Sequence, residues 1–343
     1  MRRLAAAGLG TVALLFTLGI SCRPSRSAPR EVVVYAAVDQ THAEPVLRLF
    51  EAETGIRVRA LYDAEAAKTV GLVNRLLAEQ PAPRADVFWS GEFAHTVKLK
   101  EKGVLSPYAS PQAADIPAAY RDPDACWTGF GGRARVLIVN RNLVPAASPP
   151  SRLEDLLNEA YPADQVGLAL PLFGTTSTQA AALYARLGPD AALAFFEKVQ
   201  KRGVKIVDGN ATVRDMVADG RLWFGLTDTD DAAAALQRGA PVSVVFPDQE
   251  EGGLGTLVIP NTVAVLERAP HPAEARAVVD FLLSQRVEEL LTRSGWFHVQ
   301  LRPGSAQPGP FDTSRLRAMD VSLPQVTAQI GKAQDDLRRL FVR

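Results

Sequence analysis

The stretch EVVVYAAVDQTHAEPVLRLFEAETGIRVRAL, residues 31–61, decides the architecture. Glu31 to Ala36 is β-branched and aromatic, the composition of a strand buried on both faces of a parallel sheet. Thr41 offers an N-cap, Val46, Leu47 and Phe50 then share one helical face, and Gly55 supplies the residue that ends the helix. Ile56 to Leu61 is a second strand, and parallel strands need just such a crossover between them. A helix follows from Ala64 to Glu79, with Val70, Val73, Leu76 and Leu77 as its apolar stripe, until Pro81 and Pro83 stop it. Ala85 to Trp89 is a third strand, and an open sheet of this kind binds ligands at the carboxyl ends of its strands.

The same grammar returns further along. Val166 to Leu170 reads as a strand, followed by Pro171-Leu172-Phe173-Gly174-Thr175-Thr176-Ser177-Thr178 and a helix from Gln179 to Leu187. Lys205 to Val207 is a strand, Thr212 to Asp219 a helix, and Leu222 to Thr227 a strand that enters Asp228-Thr229-Asp230-Asp231. A helix then runs to Arg238 and ends at Gly239. Arg133–Val139 and Thr256–Leu266 are apolar and strand-like, which suits stiff β-type hinges. The expected fold is therefore α/β, with two doubly wound lobes, residues 31–135 plus 262–303 and residues 136–261 plus 304–343, joined by hinge strands. A length of 343 residues fits two such lobes at roughly 100–200 residues per domain.

Composition excludes other classes. The 38 basic side chains balance 38 acidic ones, so there is no electrostatic footprint of a nucleic-acid binder. Two cysteines rule out a disulfide framework or a Cys-rich zinc site. Arg2 and Arg3 precede an apolar run from Leu4 to Ile20 that ends at Ser21-Cys22, the layout of an export signal over residues 1–21. One reading is plain secretion. The preferred one notes that Leu18-Gly19-Ile20-Ser21-Cys22 resembles the lipobox of bacterial lipoproteins, which makes Cys22 the lipidated residue and residues 22–30 a tether. Cys126 is then a lone buried thiol.

Several fragments in fixed order carry a wider resemblance: Tyr35 to Phe50 with Thr54-Gly55-Ile56, Ala85 to Glu92, Gly132 to Val136, Pro171 to Ser177, Leu222 to Gly239, and Ala273 to Leu283. In these the chain resembles the type II periplasmic substrate-binding proteins of ABC importers, and more narrowly their ferric-iron-binding branch. The resemblance implies a periplasmic or membrane-anchored receptor, expected as a monomer, that hands a small solute to an ABC permease. It also implies that residues 312–343 fold back onto the second lobe as helices, with Leu316, Val321, Leu323, Val326 and Ile330 facing inward. In that branch a His and an acidic residue of one lobe join two adjacent tyrosines of the other. Here Asp39 stands where the His is usual, the acidic position falls at or beside Glu92, and Thr229 and Asp230 replace the tyrosines.

The remaining residues define a candidate site. Asp39, Glu92, Asp228, Asp230 and Asp231 are expected at strand ends, where so many carboxylates repel unless a cation or a set of donors compensates them. Asp39, Glu92, Asp228 and Asp230 are the candidate ligands of a hard metal ion. The alternative is that the aspartates cap the following helix. Gly174, Thr175, Thr176 and Ser177 open a helix and offer an anion site, beside which Arg133 or Arg135 is placed to supply a bidentate contact; the alternatives are an ordinary capped helix and arginines that serve as structural salt-bridge partners. Trp89 and Ser90 directly precede Glu92 and are placed at the site with it, whereas Trp127, Trp223 and Trp296 are more readily core. His42, His95, His271 and His298 have no metal-ligand spacing and are assigned to core or surface. Ferric iron with phosphate or carbonate leads as ligand by resemblance, followed by a phosphonate or a phosphorylated, amine-bearing solute. An enzyme is the rival class, since Asp228-x-Asp230 after a strand is similar to the haloacid-dehalogenase phosphotransferases. Ala232 stands where that family has Thr or Val, and no cofactor-dependent catalytic motif is found, so capture rather than catalysis is expected.

Overall fold

The computed structural model describes residues 30–62, 70–296, 299–303 and 310–342. The expected leader, Cys22, the tether through residue 29 and His298 lie outside the described residues. No described helix is long and apolar enough to cross a membrane.

The chain begins with β1 (Glu31–Ala37), α1 (Gln40–Thr54), β2 (Arg57–Tyr62), α2 (Val70–Glu79) and β3 (Val87–Ser90). β1 pairs in parallel with both β2 and β3, as the crossover helices require. Gly55 ends α1 at φ +67°, a conformation glycine adopts without a Cβ clash. Then come α3 (Ala94–Glu101), the short β4 (Leu105–Ser106) and β5 (Thr128–Asn140). The second series is β6 (Val166–Ala169), α4 (Gly174–Leu187), α5 (Pro189–Arg202), β7 (Lys205–Val207), α6 (Asn210–Ala218), β8 (Phe224–Asp228), α7 (Thr229–Gln237) and β9 (Val242–Val245). β10 (Val258–Leu266), α8 (Pro272–Leu282), α9 (Gln285–Arg293) and α10 (Leu323–Phe341) complete it.

The strands line up as β2-β1-β3-β10-β5-β8-β6-β7. β5 belongs to both lobes. Its first half pairs antiparallel with β10 up to Ala134, and its second half pairs with β8 from Arg135 onward. Because β10 already pairs with β5 at Val258, and the Arg135 N–H donates to the Leu257 carbonyl at 3.0 Å, the two chain crossings lie side by side at residues 135 and 257.

Each lobe packs helices on both faces of its sheet. Phe50 of α1 and Leu282 of α8 close on Val34 and Trp89 on one face of the first sheet, and Val213 and Ala235 close on Val136 in the second. A further core runs continuously between the lobes, from Phe88 and Val97 to Leu226, Val326 and Leu337. α10 is the bridge, since it packs against α4 and α5 and also against α3. Of the expected C-terminal helices only α10 forms; Leu316 and Val321 lie before it, outside helix, where residues 317–319 instead pair with Thr256. Cys126 is a buried free thiol, and burial pushes its pKa up.

The hinge tolerates no side chain at one point. A Cβ on Gly132 would sit 2.6 Å from the Ile259 carbonyl oxygen, an immovable backbone atom of β10. Gly132→Ala is expected to cost about 2–4 kcal/mol by forcing β5 and β10 apart, read from the midpoint of urea unfolding at unchanged slope.

Candidate functional site

The strand ends meet where β5 and β10 cross. The centre of the arrangement is Arg135, which is fully buried. Its Nη1 donates to Asp228 Oδ1 at 2.7 Å and to Thr175 Oγ1 at 3.0 Å, and its Nη2 donates to Thr176 Oγ1 at 3.2 Å. Thr175 Oγ1 donates to Asp228 Oδ2, to which Asn210 Nδ2 also donates at 3.0 Å, and Thr176 Oγ1 donates to Asn210 Oδ1 at 3.0 Å. A buried ion pair is tolerated only when its remaining hydrogen-bonding capacity is filled, and the two threonines and Asn210 fill most of it.

This corrects the expectation for Asp228. Both of its oxygens are taken by the chain's own donors, Arg135 on Oδ1 and Thr175 and Asn210 on Oδ2, so it is not the free carboxylate that the sequence suggested. Nor does its side chain cap α7, although it occupies the N-cap position. α4 begins at Gly174 instead of Gln179, because the Thr-rich loop is itself the first helical turn. Gly174 takes φ +54° and is exposed, while Ser177 points away from the site and accepts from Gln334 of α10 at 3.1 Å. Trp89 is completely buried against Phe130, with ring centroids 5.8 Å apart, and Ser90 is buried beneath it; both belong to the core rather than to a ligand surface.

Around the central pair lie two looser ones. Arg133 Nη1 stands 3.5 Å from Asp230 Oδ2, and Arg214 Nη1 bonds Asp231 Oδ1 at 2.9 Å. Each aspartate of the 228–231 turn thus faces an arginine, although Arg214 is shared with Asp215, which it bonds through Nε and Nη2. Asp228, Asp230 and Asp231 offer oxygens within 4.8 Å of one another, and this crowding is compensated from within the chain. Burial, then the charges of Asp230 and Asp228, raise the Asp231 pKa to about 7 against the pull of Arg214. Burial also raises Asp230, opposed by Arg133. Burial disfavours the Arg133 charge, yet Asp230, Asp228, Glu92 and Asp231 around it hold its pKa above the ordinary value.

The first lobe contributes Glu92, Asp39 and His42. The Glu92 carboxylate accepts from the Ala94 and His95 N–H groups, both at 3.1 Å, so it caps α3 while facing Arg133. Asp39 is half-buried ahead of α1, and its carbonyl accepts from the His42 and Ala43 N–H groups. His42, assigned above to core or surface, stands at this seam. Burial lowers its pKa, and the charges of Asp39 on its own lobe and Asp230 on the other oppose that shift. It stacks on Trp296 with centroids 4.4 Å apart. Its one sequence signal is the position three residues after Asp39 on the first turn of a helix that opens at a strand end. Asn210 and Arg214 had no signal beyond lying on a helix that follows a strand.

Three polar atoms of these arginine–aspartate pairs are left without partners among the described residues: Arg133 Nε and Arg135 Nε, both donors, and Asp230 Oδ1, an acceptor. On the outer pair, Arg133 with Asp230, an unmatched cationic donor and an unmatched anionic acceptor therefore stand together.

Comparison with known proteins places this geometry. Residues 82–312 match the family described as bacterial extracellular solute-binding protein. Iron uptake protein A1 of Synechocystis sp. is 26% identical, covering 91% of this chain and 92% of that protein. A putative 2-aminoethylphosphonate-binding periplasmic protein of Salmonella typhimurium is 22% identical, covering 84% of each. The crystal structure of iron-bound HitA from Pseudomonas aeruginosa superposes with a TM-score of 0.78 at 21% identity, over 92% of this chain and 100% of that one.

Arg135→Leu leaves Asp228 buried without its cation and is expected to cost about 3–5 kcal/mol. Arg133→Leu removes a mostly buried guanidinium from a carboxylate that keeps some contact with solvent, so it is expected to cost less, about 1–3 kcal/mol, and guanidinium unfolding of both variants compares them. Asp231 binds its proton more tightly in the folded chain than at the ordinary 3.8, so its contribution to stability is complete below about pH 4 and is lost as pH rises through about 7. Asp231→Asn is expected to flatten that decline, read by chemical unfolding at pH 5 and pH 8.

Proposed function

We propose that this chain, which belongs to the bacterial extracellular solute-binding proteins, closes its two lobes on a small organic solute carrying both an anionic phosphonate or phosphate group and an amine. It delivers that solute to the permease of an ABC importer. The observation that carries this reading is the pairing of all three aspartates with arginines. A cage for a hard cation keeps its carboxylates free, whereas here they are neutralised before any ligand arrives. The unmatched atoms on Arg133 and Asp230 fit a solute with one acceptor-rich and one donor-rich end. The ammonium end bonds Asp230, with Asp39 and His42 nearby, and the anionic end bonds Arg133 and the N–H groups that open α4, a helix start with no side-chain cap. The Salmonella relative named for 2-aminoethylphosphonate supports the same chemistry. Capture needs no catalytic cofactor.

Ferric iron with a synergistic phosphate or carbonate is the second reading. It is favoured by the three aspartate oxygens within 4.8 Å of one another and by the Synechocystis iron-uptake relative. In either case Cys22 is taken as the lipid anchor on the outer face of the cytoplasmic membrane, and the receptor acts as a monomer.

Isothermal titration calorimetry separates the two. 2-Aminoethylphosphonate is expected to bind at least about tenfold more tightly than ethylphosphonate or ethylamine, a difference of roughly 1.4 kcal/mol. Asp230→Asn is expected to remove the preference for the amine and keep the weaker phosphonate binding. Tight binding of ferric citrate, with no heat from any phosphonate, would overturn the proposal in favour of iron.

A further inference from the structure

A cavity of about 730 Å³ shares no lining residue with the seam around Arg133 and Asp230. One wall comes from the first lobe, between Ala109 and Thr128, and the other from Asp320–Pro324, the turn that opens α10. The first wall sets the small apolar Ala113, Ala118 and Ala119 beside the polar Ser110, Arg121 and Asp122, the last already paired with Lys100, and the second adds Leu323.

Three features of its lining are donors. Trp127 is only 2% exposed, and its Nε1 is buried with no acceptor among the described residues. Arg121 Nε is likewise buried without an acceptor, and the neighbouring acids Asp122 and Asp124 are both occupied by Lys100, at 2.6 and 2.8 Å. α10 spans 19 residues and starts behind Ser322, whose side chain makes no cap. The start of a long helix carries a partial positive charge and N–H groups that lack intrahelical partners; of the lining residues Leu323 supplies one, since Pro324, which follows it, has no N–H. A buried unmatched donor costs free energy unless a ligand or water satisfies it, and here an indole, a guanidinium and a helix start line one cavity.

We infer that this crevice is a second binding site, for a small organic carboxylate. The carboxylate head bonds Arg121, Trp127 Nε1 and the Leu323 N–H that opens α10, and the hydrocarbon end lies against the alanines. Asp320, exposed at the rim, favours a monoanion over a dianion. Because the two walls come from different parts of the fold, and α10 also packs on α3, α4 and α5, rotation of one lobe against the other changes the shape of the site. Occupancy is then coupled to solute capture, and by linkage the coupling is reciprocal. The assignment stands whichever solute fills the seam.

The test is thermal unfolding of the purified chain with butyrate as probe and butylammonium as the control of opposite charge. Butyrate is expected to raise the midpoint in a saturable way, as a ligand specific to the folded state does, and butylammonium is expected to leave it unchanged. Arg121→Gln is expected to weaken the butyrate response by about tenfold or more, Arg121→Lys to retain most of it, and Ala119→Trp, which fills the crevice, to abolish it. Arg133→Gln is expected to keep the full butyrate response, which separates this site from the seam. Equal effects of butyrate and butylammonium, an undiminished response in Arg121→Gln and Ala119→Trp, or loss of the response in Arg133→Gln would each overturn the inference.

Discussion

The Arg135–Asp228 pair is the constraint on which the rest depends. Arg135 is the residue at which β5 stops pairing with β10 and starts pairing with β8, and Asp228 is its register partner across that change. The pair is buried at the one point where both sheets, the start of α4 and the start of α6 come together, so it cannot be held by water. Thr175, Thr176 and Asn210 supply the bonds that water would otherwise make. Three helix starts are thereby fixed around one charge pair: α4 through Thr175, α6 through Asn210 and α7 through Asp228.

That fixed centre sets what the outer pairs can do. Arg133 and Asp230 stand at the edge of the network, two residues away on either strand end, where the threonines that bond Arg135 do not reach them. The inner pair holds the strand ends and helix starts together, and in the proposed function the outer pair reads the ligand. A carboxylate cluster that looks like a cation cage in one dimension is a set of ion pairs in three, which is why the proposal favours a solute with charges of both signs over a bare metal ion.

Much of the architecture was legible because it rests on local signals. The period-2 and period-3.6 patterns of residues 31–61 name their strands and helix to within a residue or two, and Gly55 ends the helix as read. The long apolar runs at 133–139 and 256–266 are the two hinge strands. The site was legible only in part. The carboxylates and threonines were found because residue type and position at a strand end point to them. Arg133 and Arg135 were placed beside the threonines, but their pairing with the aspartates was not read, because Arg135 and Asp228 lie 93 residues apart and only the strand register brings them together. Trp89 was misplaced for a related reason: on a strand buried on both faces, nearness to a strand end does not turn a side chain outward. The helix start at Gly174 was missed because Gly, Thr and Ser read as loop when their helical turn is held by distant contacts.

The central claim is that the seam takes a solute bearing an anionic group and an amine, and native mass spectrometry of the mature protein isolated from its own bacterium addresses it most directly. Released under denaturing conditions, the bound species is expected to be an organic molecule whose exact mass contains phosphorus and nitrogen. A mass increment of iron, alone or with an inorganic anion, in place of any such molecule would contradict the account.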